Sequence, residues 1–304
     1  MLRDRRRCEI YQQALARVIA PGAVVLDVGA GTGILSLFAA QAGARKVYAV
    51  ECTSIAAFAR ELVAANGYQD VIEVIAGRME DVQLPEQVDI IVSEWMGCLG
   101  VDENILPAVV LARKRYLKPG GIMLPGWVRS WIAPMTDRAT NDELAFWRSK
   151  PYGLDLSMFV RTRTEQPQYT RPDIDAAALV ADGQALWTAD AYAYSEAQAR
   201  SPYRGIVTFR ATRDAAVSGI VGWFDAGFGE SATLDTSPSS PLTCWGQLAL
   251  PLRAPVTVRS GANINIAFSC TPVGPGYSVY EAEISVGRGP RSRSVWKYAG
   301  TLQR

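Results

Sequence analysis

The sequence predicts an α/β fold in two parts, a doubly wound parallel sheet over residues 1–124 and an antiparallel β-barrel over residues 125–304. Apolar β-rich runs alternate with helical patterns through the first part, as expected of a sheet covered by helices on both faces. The first run leads directly into a glycine turn, Gly29-Ala30-Gly31-Thr32-Gly33. Beyond Lys118-Pro119-Gly120-Gly121 and Pro125 the chain changes to alternating β-branched and aromatic residues, which mark antiparallel sheet.

In order, the strands are expected near 23–28, 46–51, 72–75, 88–93 and 121–124, and the helices near 33–43, 54–66 and 103–117. Val24-Val25-Leu26-Asp27-Val28 is a buried strand that stops at Gly29, and the glycine turn opens the first crossover helix. Lys46-Val47-Tyr48-Ala49-Val50 is the second strand and ends in Glu51; Val88-Asp89-Ile90-Ile91-Val92 ends just before Glu94. The barrel strands are expected in Val128-Arg129-Ser130-Trp131-Ile132, Gly205–Phe209, Val217–Phe224 and Ile264–Phe268. Asn141-Asp142-Glu143-Leu144-Ala145-Phe146-Trp147, by contrast, reads as helical, with apolar side chains that a barrel does not obviously need.

Ligands of doubly wound sheets bind beyond the carboxyl ends of the strands. Gly29, Glu51, Glu94 and the Gly77-Arg78-Met79-Glu80 segment all stand at such ends, so one pocket can collect them. The glycines fall at 29, 31 and 33, and position 34 is Ile, so the dinucleotide fingerprint is not matched. Glu51, placed to bind the two hydroxyls of a ribose, makes a nucleoside cofactor the favoured reading over a plain tight turn. Glu94 and Glu103 lie in an otherwise apolar loop, Ser93-Glu94-Trp95-Met96-Gly97-Cys98-Leu99-Gly100-Val101-Asp102-Glu103. Carboxylates among Trp, Met and Leu need a cationic partner. Two of them can grip one planar guanidinium from two sides. Trp95 and Met96 read as packing, and Asp102 as solvent-facing or capping.

Composition narrows the chemistry. The 304 residues are 49% hydrophobic and 20% charged, the balance of a globular chain with a sizeable core. Histidine is absent, which excludes Ser-His-Asp and Cys-His nucleophilic machinery and most transition-metal sites. The cysteines at 8, 52, 98, 244 and 270 form no C-x-x-C pair, so reduced thiols are expected and no metal site. A net charge of +1 supplies no strong field for nucleic acid. Arg3, Arg5, Arg6 and Arg7 are not followed by the apolar core of a secretion signal, and the Val18–Ala44 stretch is broken by Pro21, Gly22 and Asp27. A cytoplasmic chain without a membrane span is the expectation.

Several of these motifs together resemble the protein arginine N-methyltransferases, and the similarity runs over nearly the whole length. Val24 to Glu51 resembles the family's S-adenosylmethionine motif, Ser93 to Glu103 its double-glutamate loop, and Thr243-Cys244-Trp245, after Asp235-Thr236-Ser237-Pro238, its Thr-His-Trp loop. The resemblance implies a Rossmann-like methyltransferase domain, a β-barrel and a helical dimerisation arm near 137–165, hence a homodimer. It implies S-adenosyl-L-methionine as cofactor and S-adenosyl-L-homocysteine as product. Arg7 would hold the cofactor carboxylate, Asp27 and Gly29, with Gly31 and Gly33, the methionine end, Glu51 the ribose, and Met79 with Glu80 the adenine. Glu94 and Glu103 would clamp the acceptor guanidinium. Tyr11, Trp95, Met96, Cys244 and Trp245 would line the acceptor site.

Three departures bear on the chemistry. Cys244 stands where the family has histidine, although Asp4, its usual partner, is present; a neutral thiol cannot reproduce that ion pair. The family's Tyr-Phe lid helix would lie ahead of Met1, which implies a more open cofactor pocket or one covered by partner or substrate. Ile105 stands where asymmetric-dimethylating members often carry Met, so the methylation state stays open. The acceptor is a protein-bound arginine, or free L-arginine or another small guanidine, since no acidic excess selects a basic tail. Alternatives are methylation of an oxygen or carbon nucleophile, and a non-catalytic binding subunit.

Overall fold

A computed structural model describes residues 2–165, 168–170, 174–229, 232–274, 276–287 and 293–294. The chain opens with helix α1 (Arg5–Val18) and then builds an all-parallel sheet from β1 (Val24–Val28), β2 (Lys46–Glu51), β3 (Ile72–Ala76), β4 (Val88–Val92) and β5 (Leu117–Leu124). Its spatial order is β3-β2-β1-β4-β5. The crossovers carry α2 (Ile34–Gln41), α3 (Ile55–Ala65) and α4 (Leu106–Tyr116). Every residue of β1 is buried, which is why this strand is apolar throughout rather than alternating. The chain leaves β1 toward β2 on one side and reaches β4 on the other, so the order reverses between β1 and β4. A crevice at that reversal is where such sheets hold ligands.

Two expected boundaries shift. β5 begins at Leu117 rather than 121, four residues earlier. Helix α4 begins at Leu106 rather than 103, because Asn104 takes a left-handed backbone (φ 56°) that a helix cannot continue, and Pro107 suits the first turn. Glu103 therefore belongs to the loop and not to the helix.

Only Pro125 and Gly126 separate β5 from β6 (Trp127–Met135), where the antiparallel half begins. Its other strands are β7 (Gln168–Thr170), β8 (Gln184–Asp190), β9 (Tyr203–Arg210), β10 (Ala215–Gly227), β11 (Thr233–Asp235), β12 (Gln247–Val258), β13 (Asn263–Gly274), β14 (Tyr277–Val286) and β15 (Arg293–Ser294). They form one sheet of order β7-β12-β10-β6-β8, with β11 beside β10, and a second of order β15-β14-β13-β9. Along β6, Val128 and Ile132 face the main core, while Ala133 and Met135 join Trp223 and Ala249 in a smaller cluster on the opposite face. That is the period-2 alternation of a strand covered on both sides.

Helices α5 (Arg138–Arg148) and α6 (Ser157–Thr164) interrupt the strands as a hairpin, and α7 (Glu196–Arg200) is started by a Ser195–Gln198 capping box. The hairpin is held by Trp147 stacked on Phe159 with centroids 4.6 Å apart, and by Arg163 on Glu143 at 3.0 Å. Phe146, Met158 and Phe159 stay largely exposed on it. The main core runs without a break from Val24 in β1 to Ile284 in β14. Among the described residues no helix is long and apolar enough to cross a membrane.

Candidate active site

The site forms where α1 crosses the carboxyl ends of the parallel strands and meets the antiparallel half. Asp4 caps α1: one carboxylate oxygen accepts the Arg7 amide at 2.9 Å, and the other accepts the Cys244 amide at 2.6 Å. A single side chain thus starts the helix and ties it to a loop 240 positions away. Arg6 adds a bond to the Pro241 carbonyl at 2.9 Å. One turn along, Tyr11 is fully buried; its hydroxyl donates to the Ser93 carbonyl at 3.0 Å, and its ring meets Phe228 edge-on at 4.7 Å.

Arg3 and Arg5 are exposed, whereas Arg7 is 4% exposed and points inward. Its Nη2 pairs with Glu94 at 3.4 Å, and its guanidinium lies 5.9 Å from the ring centroids of both Tyr11 and Trp245. Burial alone would push this guanidinium down, but Glu94, followed by Tyr11 and the Cys244 and Cys8 thiols, holds it above its ordinary value. Nε and Nη1 of Arg7 are buried with no hydrogen-bond partner among the described residues. Orphaned donors on a buried cation are costly, and a carboxylate would satisfy both.

The turn after β1 is shaped to receive a ligand. Gly29 and Ala30 donate to the Val50 carbonyl at 2.9 and 3.0 Å, which fastens the turn to β2. Gly29 (φ 72°) and Gly31 (φ 55°) adopt left-handed backbone, and a Cβ built on either would point into open space. Glycine here leaves an uncovered backbone surface that a larger residue would occupy. Glu51 is 6% exposed and accepts the Gly31 amide at 2.8 Å and the Thr53 amide at 2.7 Å. A carboxylate offers about four acceptor positions, so about two remain open for a ligand. Gly33 begins α2 as its left-handed cap.

Asp27, fully buried one residue before the end of β1, holds the Ser36 hydroxyl at 2.7 Å through Oδ2; Oδ1 has no partner among the described residues. Burial pushes its carboxyl up to about 7 against the opposing Ser36 bonds, with Glu51 raising it further and Arg7 lowering it. Met79 is buried and Glu80 half-buried beyond β3, at the edge of the sheet; Glu80 pairs with Arg78 at 3.4 Å. Their segment is held by Arg115, which donates to the Glu80 carbonyl at 2.8 Å and to that of Met79 at 3.3 Å.

The double-glutamate loop is anchored at every turn. Ser93 donates to the Val28 carbonyl at 2.6 Å, Gly97 and Gly100 exchange a pair of 3.0 Å backbone bonds, and Ser130 of β6 donates to the Leu99 carbonyl at 2.6 Å. Trp245 donates its indole N–H to the Met96 carbonyl at 2.8 Å, and the Cys98 thiol bonds back to the Trp245 carbonyl at 2.7 Å. Trp95 and Met96 are buried packing at 1% and 0% exposure, and Glu103 is 6% exposed. Asp102 is fully buried, not solvent-facing, because Leu99 N and the Tyr280 hydroxyl satisfy its carboxylate at 3.0 and 2.8 Å. Its capping role does hold, within the loop.

The structure therefore gathers Arg7, Tyr11, Glu94, Cys244 and Trp245 in one contact group and links Glu51 to Gly31. Cys244 sits in it as a neutral thiol, pushed up to about 12 by burial and by Asp4 against the lowering effect of Arg7. Sequence reasoning missed Ser36, Phe228, Ser278 and Tyr280. Each acts through tertiary contact; only the Ser36 position, nine after Asp27, is close enough to have been found locally.

Two family models match the two halves. The arginine methyltransferase oligomerization subdomain matches residues 129–281, and ribosomal protein L11 methyltransferase (PrmA) matches residues 9–124. Protein arginine N-methyltransferase PRMT10 of Oryza sativa subsp. japonica is 39% identical over 306 aligned residues, covering 88% of this chain and 79% of the relative. Its Arabidopsis thaliana namesake is 34% identical, covering 94% and 82%. Among solved structures, the Trypanosoma brucei PRMT1 enzyme-prozyme heterotetrameric complex with AdoHcy superposes with a TM-score of 0.87 at 33% identity, covering 100% of this chain and 96% of that one. Arabidopsis thaliana protein arginine methyltransferase 10, solved in an open conformation, gives 0.82 at 29% identity with the same coverage. With a matched subdomain over half its length and relatives of this identity along most of the rest, the chain belongs to the protein arginine N-methyltransferase family.

Proposed function

We propose that the protein transfers a methyl group from S-adenosyl-L-methionine to a guanidino nitrogen of arginine. The observation that carries this reading is that Glu94 already holds a guanidinium, that of Arg7, at 3.4 Å in a nearly dry site. The residues present also fit the cofactor: Arg7 has two orphaned donors, Asp27 an orphaned acceptor, and Gly29 and Gly31 an uncovered backbone.

When bound, the cofactor supplies a methyl group on a sulfonium and leaves as S-adenosyl-L-homocysteine. Arg7 would hold its carboxylate, Asp27 and Gly29 would line its methionine end, Glu51 would accept from its ribose hydroxyls, and Met79 with Glu80 would frame the adenine. A guanidinium has a pKa of roughly 12.5–13.8, so it arrives protonated and a poor nucleophile. Glu94 and Glu103 draw its positive charge to two of the nitrogens and leave lone-pair character on the third. They also orient that nitrogen, which supplies much of the remaining acceleration. One glutamate accepts the proton the nitrogen releases. Trp95, Met96 and Trp245 keep this loop rigid and dry, and Tyr11 fixes α1 against it.

The two halves act as a methyltransferase domain, residues 1–124, and a substrate domain, residues 125–304. A second copy of the chain docks on the α5–α6 hairpin, giving a homodimer; Phe146 (44% exposed), Met158 (74%) and Phe159 (49%) supply the apolar contact, and Phe58 of α3 (52%) is a matching exposed apolar residue. The acceptor is a protein-bound arginine or a small guanidine, in the cytoplasm.

Incubation with methyl-labelled cofactor and, in parallel, an Arg-Gly-rich peptide, L-arginine and agmatine tests the reading by mass spectrometry. Label on a guanidino nitrogen of any of the three supports it and names the acceptor class. Label on none of them, with the cofactor bound, overturns it.

A further inference from the structure

We propose that Tyr280 is a positioning residue for Glu103, acting through Asp102, so that the β13–β14 hairpin sets the second glutamate of the loop. The inference rests on the guanidinium-clamp reading above.

Three groups at alternate positions, 276, 278 and 280, reach the loop together. Gly276 N donates to the Glu103 carbonyl at 2.8 Å, Ser278 Oγ to the Asp102 carbonyl at 2.8 Å, and Tyr280 Oη to Asp102 Oδ2 at 2.8 Å. Ser278 and Tyr280, two apart on β14, share a face, and the main-chain N–H of Gly276, in the turn just before the strand, joins them, so three donors converge on Asp102 and Glu103. Asp102, Ser278 and Tyr280 are all fully buried. The other oxygen of Asp102 accepts the Leu99 amide at 3.0 Å, and a Cβ added to Gly97 would stand 2.4 Å from it, so the loop closes directly onto this carboxylate. Asp102 thus joins the Gly97–Gly100 end of the loop to the barrel, and Glu103 is the next residue. Immediately after it, Asn104 turns into left-handed backbone. A side chain fixed between a buried carboxylate and a left-handed turn has little freedom of its own, and its aim depends on how Asp102 is held. Removing one partner of a buried hydrogen-bonded carboxyl leaves it under-satisfied, which is costly. Tyr280 is placed in turn by its ring, 6.3 Å from that of Phe268.

The test is Tyr280→Phe, which removes one oxygen and keeps the ring, assayed with labelled cofactor and an Arg-Gly-rich peptide or L-arginine. The expected result is a fall in kcat of about tenfold, as for a displaced catalytic group, with affinity for S-adenosyl-L-homocysteine unchanged by calorimetry. In the Glu103→Gln background the same change has little further effect, because the group it positions is already disabled. Wild-type kinetics for Tyr280→Phe, equal loss in both backgrounds, or a parallel loss of cofactor affinity would overturn the proposal. Should Tyr280→Phe fail to fold, Ser278→Ala takes its place in the same cycle. Full turnover by Glu103→Gln alone would sink the clamp itself, an outcome distinct from failure of the positioning role.

Discussion

Arg7 is the residue on which both halves of the proposed chemistry converge. Its Nη2 lies on Glu94, while Nε and Nη1, without a partner among the described residues, are the donors proposed for the cofactor carboxylate. Arg7→Lys keeps the charge but not the fork, so calorimetry should show cofactor affinity reduced by about tenfold or more. Glu94→Gln and Glu103→Gln should each lower kcat by about a hundredfold or more, while Glu103→Gln leaves cofactor affinity unchanged. Asp27 supplies a pH dependence. Its folded carboxyl titrates near 7, above the ordinary value, so the folded state keeps a proton that the unfolded chain loses earlier, and stability falls as pH rises between about 4 and 7. An amino group at the methionine end favours the ionised form, so cofactor affinity should strengthen by about tenfold from pH 6 to 8. Asp27→Asn should flatten both dependences in thermal and calorimetric titrations. Glu51 and Glu94 were legible because the one ends β2 and the other follows β4 by two residues, each in a motif. Asp102 was not, since its partner Tyr280 lies 178 positions away and no local pattern reports that distance.

At the scale of elements, the α5–α6 hairpin is the feature a barrel does not need, and its helical character was visible in Asn141 to Trp147. The Trp147–Phe159 stack holds its two helices together and leaves Phe146 and Met158 outward. Replacing Phe146 and Met158 by Asp should therefore convert the proposed dimer to a monomer in light scattering, because apolar area is lost and charge placed in the proposed interface. A dimer surviving both changes would move the interface elsewhere. The parallel strands were legible from apolar runs bounded by glycine and proline. The start of α4 was not, because the Asn104 backbone is imposed by the loop between the glutamates rather than by any helix-breaking residue at 103.

For the molecule as a whole, the sequence change near Pro125 suggests two units, yet one apolar core extends through both. Calorimetry should accordingly show a single unfolding transition, with the two halves melting together; two separated transitions would contradict the continuity of that core. Composition could reveal the change in sheet type but not this continuity, which depends on residues such as Phe228, Trp245 and Tyr280 packing against the first half.

The seam made by α1 also has a bearing on how the protein is born. Asp4, Arg6 and Tyr11 find their partners in Cys244, Pro241 and Phe228, segments the ribosome produces more than 200 residues later. At roughly 5–20 residues per second, these three contacts can form only about 10–50 s after α1 itself is synthesised. Completion of the candidate site is therefore among the last events of biogenesis, and a polypeptide halted before Pro241 would carry the glycine turn and both glutamates while lacking the Pro241, Cys244 and Trp245 contacts of α1.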